Sequence, residues 1–197
     1  SLLLATDCRE FPSEPITRTR FWCSLAEFPV VWSAWGNWRA AHPDTQVLTT
    51  NTGYQRRYGS DPYGGYNPPS NYYADDSLLF EPLASTDAER PKEVVIGART
   101  AEGAIAFNKE SLRSAGVLAG EAGGVDFVAV ADPALETGYV YRNDEGVTVE
   151  ATGSESGQYT VDGQTAPAAE LPLDHVLAFD AMFFAWYGFY PGMSYVD

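Results

Sequence analysis

The residues best suited to contact a ligand lie in one segment, residues 51–76, which is rich in tyrosine, glycine and proline. Its candidate contact set consists of six tyrosines and one acid: Tyr54, Tyr58, Asp61, Tyr63, Tyr66, Tyr72 and Tyr73. Tyrosine joins a flat apolar ring to a hydroxyl group, a combination that suits contact with a sugar or with a protein partner. The alternative is that the segment wraps the fold, so that its rings cover the core.

Residue types that carry metal or nucleophilic chemistry are scarce. The histidines are His42 and His175, and the cysteines are Cys8 and Cys23; none of them has the close spacing of a zinc site. No Gly-x-Ser-x-Gly element occurs, and the glycine-rich residues 120–124 lack the lysine of a phosphate-binding loop. We therefore predict no catalytic residues, no metal and no cofactor.

Carboxylates leave one enzymatic alternative open. A pair of acids near the tyrosine-rich segment could hydrolyse a glycan, although in so acidic a chain such pairs occur by chance. Asp75 and Asp76 could also hold calcium, but the spacing of an EF-hand is absent and a solvated turn explains them.

The charge of the chain is strongly negative. Asp and Glu number 27 against 12 Lys and Arg, so the net charge is −15, and the only lysines are Lys92 and Lys109. A scattered excess of acid with almost no lysine is typical of a halophile's solvated surface; an ordinary acidic protein is the alternative. No basic patch is available to neutralise phosphates, which argues against a nucleic acid partner.

Length and composition predict one globular domain over residues 1–197. The chain is 45% hydrophobic and 14% aromatic, and no apolar run reaches the roughly 18 residues that would span a bilayer. It starts at Ser1 without a basic leader, so we expect a processed product or a fragment, with lipid anchoring outside this chain still open. Cys8 and Cys23 could form a disulfide worth about 3 kcal/mol, or could be two buried thiols.

Two aromatic stretches each end at a proline: "WSAWGNWRAAHPDTQVL" at 32–48 and "MFFAWYGFYPGMSYV" at 182–196. Each predicts a short helix, capped by Ser33 or Asp180 and stopped by the proline. When the prolines are aligned, the large aromatic side chains coincide in pairs, which predicts four core anchors: Trp35 with Phe183, and Trp38 with Trp186.

This alignment suggests an internal duplication within a β-rich α+β fold. The related units are residues 1–50 and 149–197, each a β-hairpin, a linker, a short aromatic helix and a closing strand. Residues 51–93 form a long loop and connector. Residues 94–148 form a hairpin around "TAEG", a short helix that Asn108 caps and Gly116 stops, and strands, of which "VDFVAVADP" is buried. Two independent helices with similar cores remain the alternative.

Several of these motifs resemble DUF3179, a bacterial and archaeal family of unknown function. The resemblance rests on "WGNWRAAHPDTQVL", "TGYQRRYGSDPYGGY", "FFAWYGFYPG" and the run "VIGARTAEGAIAFNKESLRSAGVLAGEAGGVDFVAV", and it covers about residues 24–197. It implies an extracytoplasmic location, secreted or anchored at the cell surface. Where many members have Cys-Pro-Leu-Cys, this chain has Asp132-Pro133-Ala134-Leu135, so no thiol or metal chemistry carries over.

The sequence therefore favours a non-enzymatic binding or structural module of a halophile's cell envelope, or a subunit of a larger assembly there. Its partner would be a protein or a glycan. The alternative is an extracytoplasmic hydrolase that acts on glycans with carboxylates near the tyrosine-rich segment.

Salt should strongly stabilise the fold. The Debye length falls from about 30 Å at 0.01 M salt to about 3 Å at 1 M, whereas a domain of this length has a radius of gyration of about 16 Å. The carboxylates behind the net charge of −15 therefore repel one another across the whole domain only at low salt. Circular dichroism should show an unfolding midpoint that rises from millimolar to multimolar potassium chloride; an unchanged midpoint would contradict the halophilic interpretation.

Overall fold

The computed structural model describes residues 4–10, 21–65, 68–153 and 156–197, with side chains from residue 27 onward. The strands are β1 (Leu4–Glu10), β2 (Phe21–Ala26), β3 (Val94–Arg99), β4 (Ala104–Asn108), β5 (Val117–Ala122), β6 (Val125–Asp132), β7 (Thr137–Arg142), β8 (Val149–Ala151), β9 (Gln158–Val161), β10 (Gln164–Pro167), β11 (His175–Val176), β12 (Ala178–Met182) and β13 (Ser194–Val196). The α-helices are α1 (Trp35–Ala41), α2 (Lys109–Ala115) and α3 (Phe183–Phe189), and short 3-10 helices span Asn71–Tyr73 and Ala168–Glu170.

Two four-stranded sheets form the centre of the fold. One has the strand order β12-β3-β4-β13, in which β13 runs parallel to β4 and the other pairs are antiparallel. The second is antiparallel with the order β11-β7-β6-β5. The principal core lies between them and contains Ile96, Phe107, Phe127 and Val140.

Strand β6 is buried on both faces, which explains its nearly continuous apolar sequence VDFVAVAD. Successive side chains of a strand point to opposite faces. Phe127 and Ala129 accordingly belong to the core between the two sheets, whereas Val128 and Val130 pack in a second core on the outer face. The three-stranded sheet β10-β9-β8 supplies Tyr159 and Val161 to that second core.

Helix α3 covers the outer face of the other central sheet. Phe183 and Trp186 pack there against Val95 and Ala106. The Trp186 ring occupies the space above Gly97 on β3, where an added Cβ would lie 2.4 Å from the indole. The molecule is therefore layered as α3, sheet, sheet and outer sheet, and a glycine is required where the helix meets the first sheet.

The β-rich α+β fold class predicted from the sequence is confirmed. The hairpin around "TAEG" is present as β3 and β4, and the buried strand at 125–132 is β6. Helix α2 is capped by Asn108, whose Oδ1 accepts from the backbone N–H groups of Glu110 at 2.9 Å and Ser111 at 3.0 Å. It ends at Gly116, as predicted, with φ at +81°.

The predicted caps of the two aromatic helices are wrong. Helix α1 begins after Ala34 and α3 after Met182, and neither residue makes a side-chain cap hydrogen bond. Asp180 instead lies in β12, where its carboxylate is enclosed by other elements. Local sequence supports a capping role for any Asp near a helix start, and tertiary contacts overrode it here.

The four predicted core anchors separate into two groups. Phe183 and Trp186 are buried, with 4% of Trp186 exposed. Trp35, however, is 53% exposed, and Trp38 is half-buried. The prediction that Trp35 and Trp38 are core anchors is therefore wrong. Helix α1 buries none of its residues. The contacts of Trp38 are local: its ring centroid lies 4.2 Å from that of His42, and its Nε1 donates to the Thr45 hydroxyl at 3.1 Å.

The predicted internal duplication stays a prediction, although the two aromatic helices share local geometry. Both helices have seven residues, and their C-caps His42 and Tyr190 share nearly the same backbone angles, with φ of −127° and −129°. After the turn the two segments differ, because residues 43–50 form no strand, whereas β13 follows α3. The common local geometry thus stands in two different tertiary settings.

Strands β1 and β2 pair Cys8 directly with Cys23. Opposite residues of an antiparallel pair have Cα separations of about 4.5–5.5 Å, within the range that a disulfide needs. The backbone register is therefore compatible with the predicted bridge, which stays a prediction.

The two settings of the aromatic helices predict different costs of truncation. Trp186→Ala would leave a large cavity over Gly97 and should lower the free energy of unfolding by about 3–5 kcal/mol. Trp35→Ala removes an exposed ring and should cost under about 1 kcal/mol. Urea denaturation at fixed potassium chloride would measure both, and equal costs would contradict the layer assignment.

Candidate functional site

A buried ion pair joins four parts of the chain at one edge of the central sheets. The Lys109 Nζ donates to the Asp180 Oδ2 at 2.9 Å, and the Asp180 side chain has no exposed surface. The same oxygen accepts from the Trp32 backbone N–H at 2.6 Å, and Oδ1 accepts from the Thr137 hydroxyl at 3.0 Å. Each carboxylate oxygen thus has a donor, as a buried charge requires.

The elements position these groups directly. Asp180 lies in β12 opposite Ile96 of β3, Lys109 is the first residue of α2, and Thr137 is the first of β7. Trp32 belongs to residues 27–34, which we call the strap, an extended segment between β2 and α1.

The strap is held along its length by hydrogen bonds to the central sheet. The Asp180 N–H donates to the Val30 carbonyl at 2.9 Å, and the Lys109 ammonium donates to the Trp32 carbonyl at 3.0 Å. At its start, Glu27 pairs with Arg99 on β3. One aspartate and one lysine therefore fix the backbone of the segment that leads into α1.

On one side of the strap lies a cleft of about 680 Å³, which we call the polar cleft. Residues of the strap, of α2 and of two neighbouring segments line it: Val31, Trp32, Ser33, Ala34, Glu93, Val94, Lys109, Glu110, Arg113 and Glu136. Glu136 has a φ of +55°, a left-handed backbone that a non-glycine residue seldom adopts. The cleft thus brings two cationic and three acidic side chains together.

Burial raises the pKa of Glu93 above its ordinary value, and the neighbouring charge of Glu89 adds to the rise. Glu89 itself accepts a hydrogen bond from the Tyr195 hydroxyl at 2.8 Å, and that hydroxyl accepts from the Asn108 amide at 3.1 Å. Burial also raises the pKa of Tyr195. Glu93 consequently holds its proton to a higher pH than an exposed glutamate does.

A second cleft of about 380 Å³, which we call the aromatic cleft, also borders the strap. Its lining comes from the strap, the end of the tyrosine-rich segment, β12 and α3: Val30, Trp32, Tyr72, Tyr73, Phe179, Asp180, Ala181, Met182, Phe184 and Ala185. Trp32 lines both clefts, so the strap contributes to the wall of each.

The predicted contact residues of the tyrosine-rich segment fall into two groups. Tyr54, Tyr58 and Tyr63 are exposed by 72%, 43% and 49%. Tyr72 and Tyr73 are half-buried, with ring centroids 5.4 Å apart. The first half of the segment therefore presents rings to solvent, as a contact surface requires. Its end packs against the fold, as the alternative of a core-covering loop predicts.

The two remaining members of the set differ in status. The Asp61 Oδ1 accepts from the Tyr63 backbone N–H at 2.8 Å, a local turn contact. Tyr66 lies outside the described residues.

Lys92 anchors the packed end of the segment. Its side chain is only 6% exposed. The ammonium lies 3.6 Å from the centroid of the Tyr72 ring, donates to the Tyr72 carbonyl and approaches the Asp75 Oδ1 at 3.5 Å. A cation over an aromatic face gains about 0.5–2 kcal/mol, more when it is desolvated.

The acids near the tyrosine-rich segment are engaged in local structure. The hydroxyl and backbone N–H of Ser77 lower the pKa of Asp75, with a smaller contribution from Lys92. Asp76 pairs with Arg90 at 3.2 Å. A general acid needs a pKa raised towards neutrality, so Asp75 lacks the electrostatic setting of a glycosidase acid.

In the described part of the chain, no group of three or more His, Cys, Asp or Glu residues is placed to hold a metal ion. His175 lies beside the Tyr141 ring at 5.3 Å, and burial lowers its pKa. Among the helices that the structure describes, none has the length and apolarity to cross a membrane.

Sequence reasoning missed the Asp180–Lys109 pair. From the sequence, Asp180 is predicted to cap a helix and Lys109 is given no role. The available signal was the rarity of lysine, since a chain that has only two lysines retains each where an ammonium is needed.

Comparison with protein families identifies the family of the chain. Residues 20–193 match the model of DUF3179, described as a protein of unknown function. No curated protein and no solved structure matches the chain.

Removing one member of the buried pair should strongly destabilise the protein. Lys109→Met would leave the Asp180 carboxylate buried without its cation, which should cost about 3–5 kcal/mol in urea unfolding. Arg113→Met, in the same helix, breaks an exposed pair with Glu110 and should cost under about 1 kcal/mol.

A double-mutant cycle separates the ion pair from simple loss of packing. Lys109→Met combined with Asp180→Asn removes both charges, so its cost should be at least about 1 kcal/mol less than the sum of the single costs. Additive costs would show that the two groups do not stabilise each other.

Proposed function

Because the chain belongs to the DUF3179 family, whose description names no activity, we propose its function from its surface: a non-enzymatic binding or structural module of the cell envelope of a salt-adapted organism. The observation that carries this proposal is the division of the tyrosine-rich segment. Lys92 fixes its end at Tyr72, while Tyr54, Tyr58 and Tyr63 remain exposed on the preceding turns.

Exposed tyrosines on an anchored loop favour binding. An aromatic side chain in contact with a partner buries much apolar area and loses little conformational freedom, because few torsions must be fixed. Anchoring the loop at one end further reduces the entropy lost on binding. We place the contact surface at Tyr54, Tyr58 and Tyr63, and its partner is a protein or a glycan of the envelope.

A second exposed surface favours a place in a larger assembly. Leu79, Phe80, Leu83 and Phe189 are each more than half exposed, and Leu83 lies against Gly188 at the end of α3. Large apolar side chains that gather on the surface commonly mark a protein interface. We propose that this surface contacts another subunit.

The acidic surface and the cysteine register support the remaining parts of the proposal. A net charge of −15 with both lysines largely buried is suited to concentrated salt, which screens the repulsion between exposed carboxylates. A bridge between Cys8 and Cys23 would persist outside the cytoplasm, where disulfides are stable. An extracytoplasmic position is therefore part of the proposal.

Envelope binding can be tested by co-sedimentation of the full chain with isolated envelope fragments of its source organism in multimolar potassium chloride. Tyr54→Ser with Tyr63→Ser should reduce the bound fraction at least about fivefold, a loss of about 1 kcal/mol. The melting temperature should fall only slightly, because Tyr54 is mostly exposed and Tyr63 is about half exposed, with one edge contact to the Tyr72 ring.

Phe80→Ser with Leu83→Ser is the matched control, since it removes two exposed apolar side chains from the other surface. This control should leave envelope binding intact. Failure of the unaltered chain to sediment would overturn the proposal, and equal losses in the two double variants would overturn the assignment to the tyrosines.

A further inference from the structure

The polar cleft contains hydrogen-bond donors that the fold itself does not use. A lysine ammonium has three N–H donors. The Lys109 ammonium gives one to the Trp32 carbonyl and one to Asp180, and the third meets no other described residue. Its side chain is 11% exposed and lines the cleft, so the remaining donor is available to a bound group there.

Arg113 supplies a second cation to the same cleft. It follows Lys109 by four positions in α2, and residues at this spacing lie on one face of a helix. Its Nη1 contacts the Glu110 Oε2 at 3.2 Å in an exposed pair, and its remaining donors contact no described residue. Exposed pairs of this kind are weak, so the guanidinium can turn to a ligand at little cost.

The acceptors of the cleft limit what such a ligand can be. Glu93 and Glu136 line the same cleft, and neither forms an ion pair with a described residue. A small inorganic anion would meet their repulsion and satisfy neither. A ligand that carries both a carboxylate and hydroxyl groups would suit the cleft. Its carboxylate would pair with Lys109 and Arg113, and its hydroxyls would donate to the two glutamates.

We propose that the polar cleft binds a sugar acid, a hexuronate unit free or at the end of a glycan. The carboxylate lies between Lys109 and Arg113, and the ring hydroxyls donate to Glu93 and Glu136. Trp32, Val31 and Val94 provide the apolar part of the wall. A volume of about 680 Å³ lies within the range of small-ligand sites and accommodates one or two sugar rings.

The test is isothermal titration calorimetry of the full chain with D-glucuronate, at one potassium chloride concentration that keeps the protein folded. Glucuronate should bind, and D-glucose, which lacks the carboxylate, should bind at least about tenfold more weakly. Arg113→Gln should weaken glucuronate binding at least about tenfold, or about 1.4 kcal/mol. Arg90→Gln, which removes an exposed guanidinium paired with Asp76, should change it less than twofold.

Several results would overturn the proposal. These are absence of glucuronate binding, equal affinity for glucose, or equal losses with Arg113→Gln and Arg90→Gln, which would indicate a diffuse charge effect. Tighter binding of diglycine would assign the cleft to amino-acid-like ligands instead. Tyr54→Ser with Tyr63→Ser should leave glucuronate affinity unchanged, so this test is independent of envelope binding through the tyrosines.

Discussion

The buried contact between Asp180 and Lys109 is the constraint on which the candidate site depends. It links β12 to α2, reaches β7 through Thr137 and holds the strap through both backbone groups of Trp32. Asp180 lines the aromatic cleft and Lys109 lines the polar one. Because the pair is enclosed, dissolved salt screens it far less than it screens surface charges. The attraction between Asp180 and Lys109 therefore persists at salt concentrations that screen the surface charges.

The two lysines share one function in an otherwise lysine-poor chain. Each is largely buried, and each fastens an irregular segment to the central fold: Lys92 the end of the tyrosine-rich segment, and Lys109 the strap. An ammonium is a compact, strongly hydrated charge, so burying it requires oxygen or aromatic partners close by. Both sites provide such partners. The long connection between β2 and β3, which contains no strand, thereby gains defined positions at two points.

The two aromatic helices show how neighbouring structure decides the role of similar sequences. Helix α3 is bracketed by β12 and β13, and Gly97 leaves room for the Trp186 ring against the sheet. Helix α1 has the same length and the same terminal turn, but it follows the strap and presents Trp35 to solvent. One aromatic helix completes a core, and the other adds to the exposed aromatic surface.

The sequence by itself determined the features that depend on near neighbours along the chain. The β3–β4 hairpin, the Asn108 cap, the Gly116 stop and the helix ends before Pro43 and Pro191 each follow from local sequence. The tyrosine-rich segment was also predictable as an irregular loop from its glycine and proline content. Tertiary structure alone decided which aromatic helix was buried, because burial depends on whether a sheet lies beneath it. Tertiary structure also decided the pairing of Asp180 with Lys109, which lie 71 positions apart. Asp and Lys are ordinarily surface residues, and they form an enclosed ion pair here only because β12 meets α2. The two partners line the two clefts.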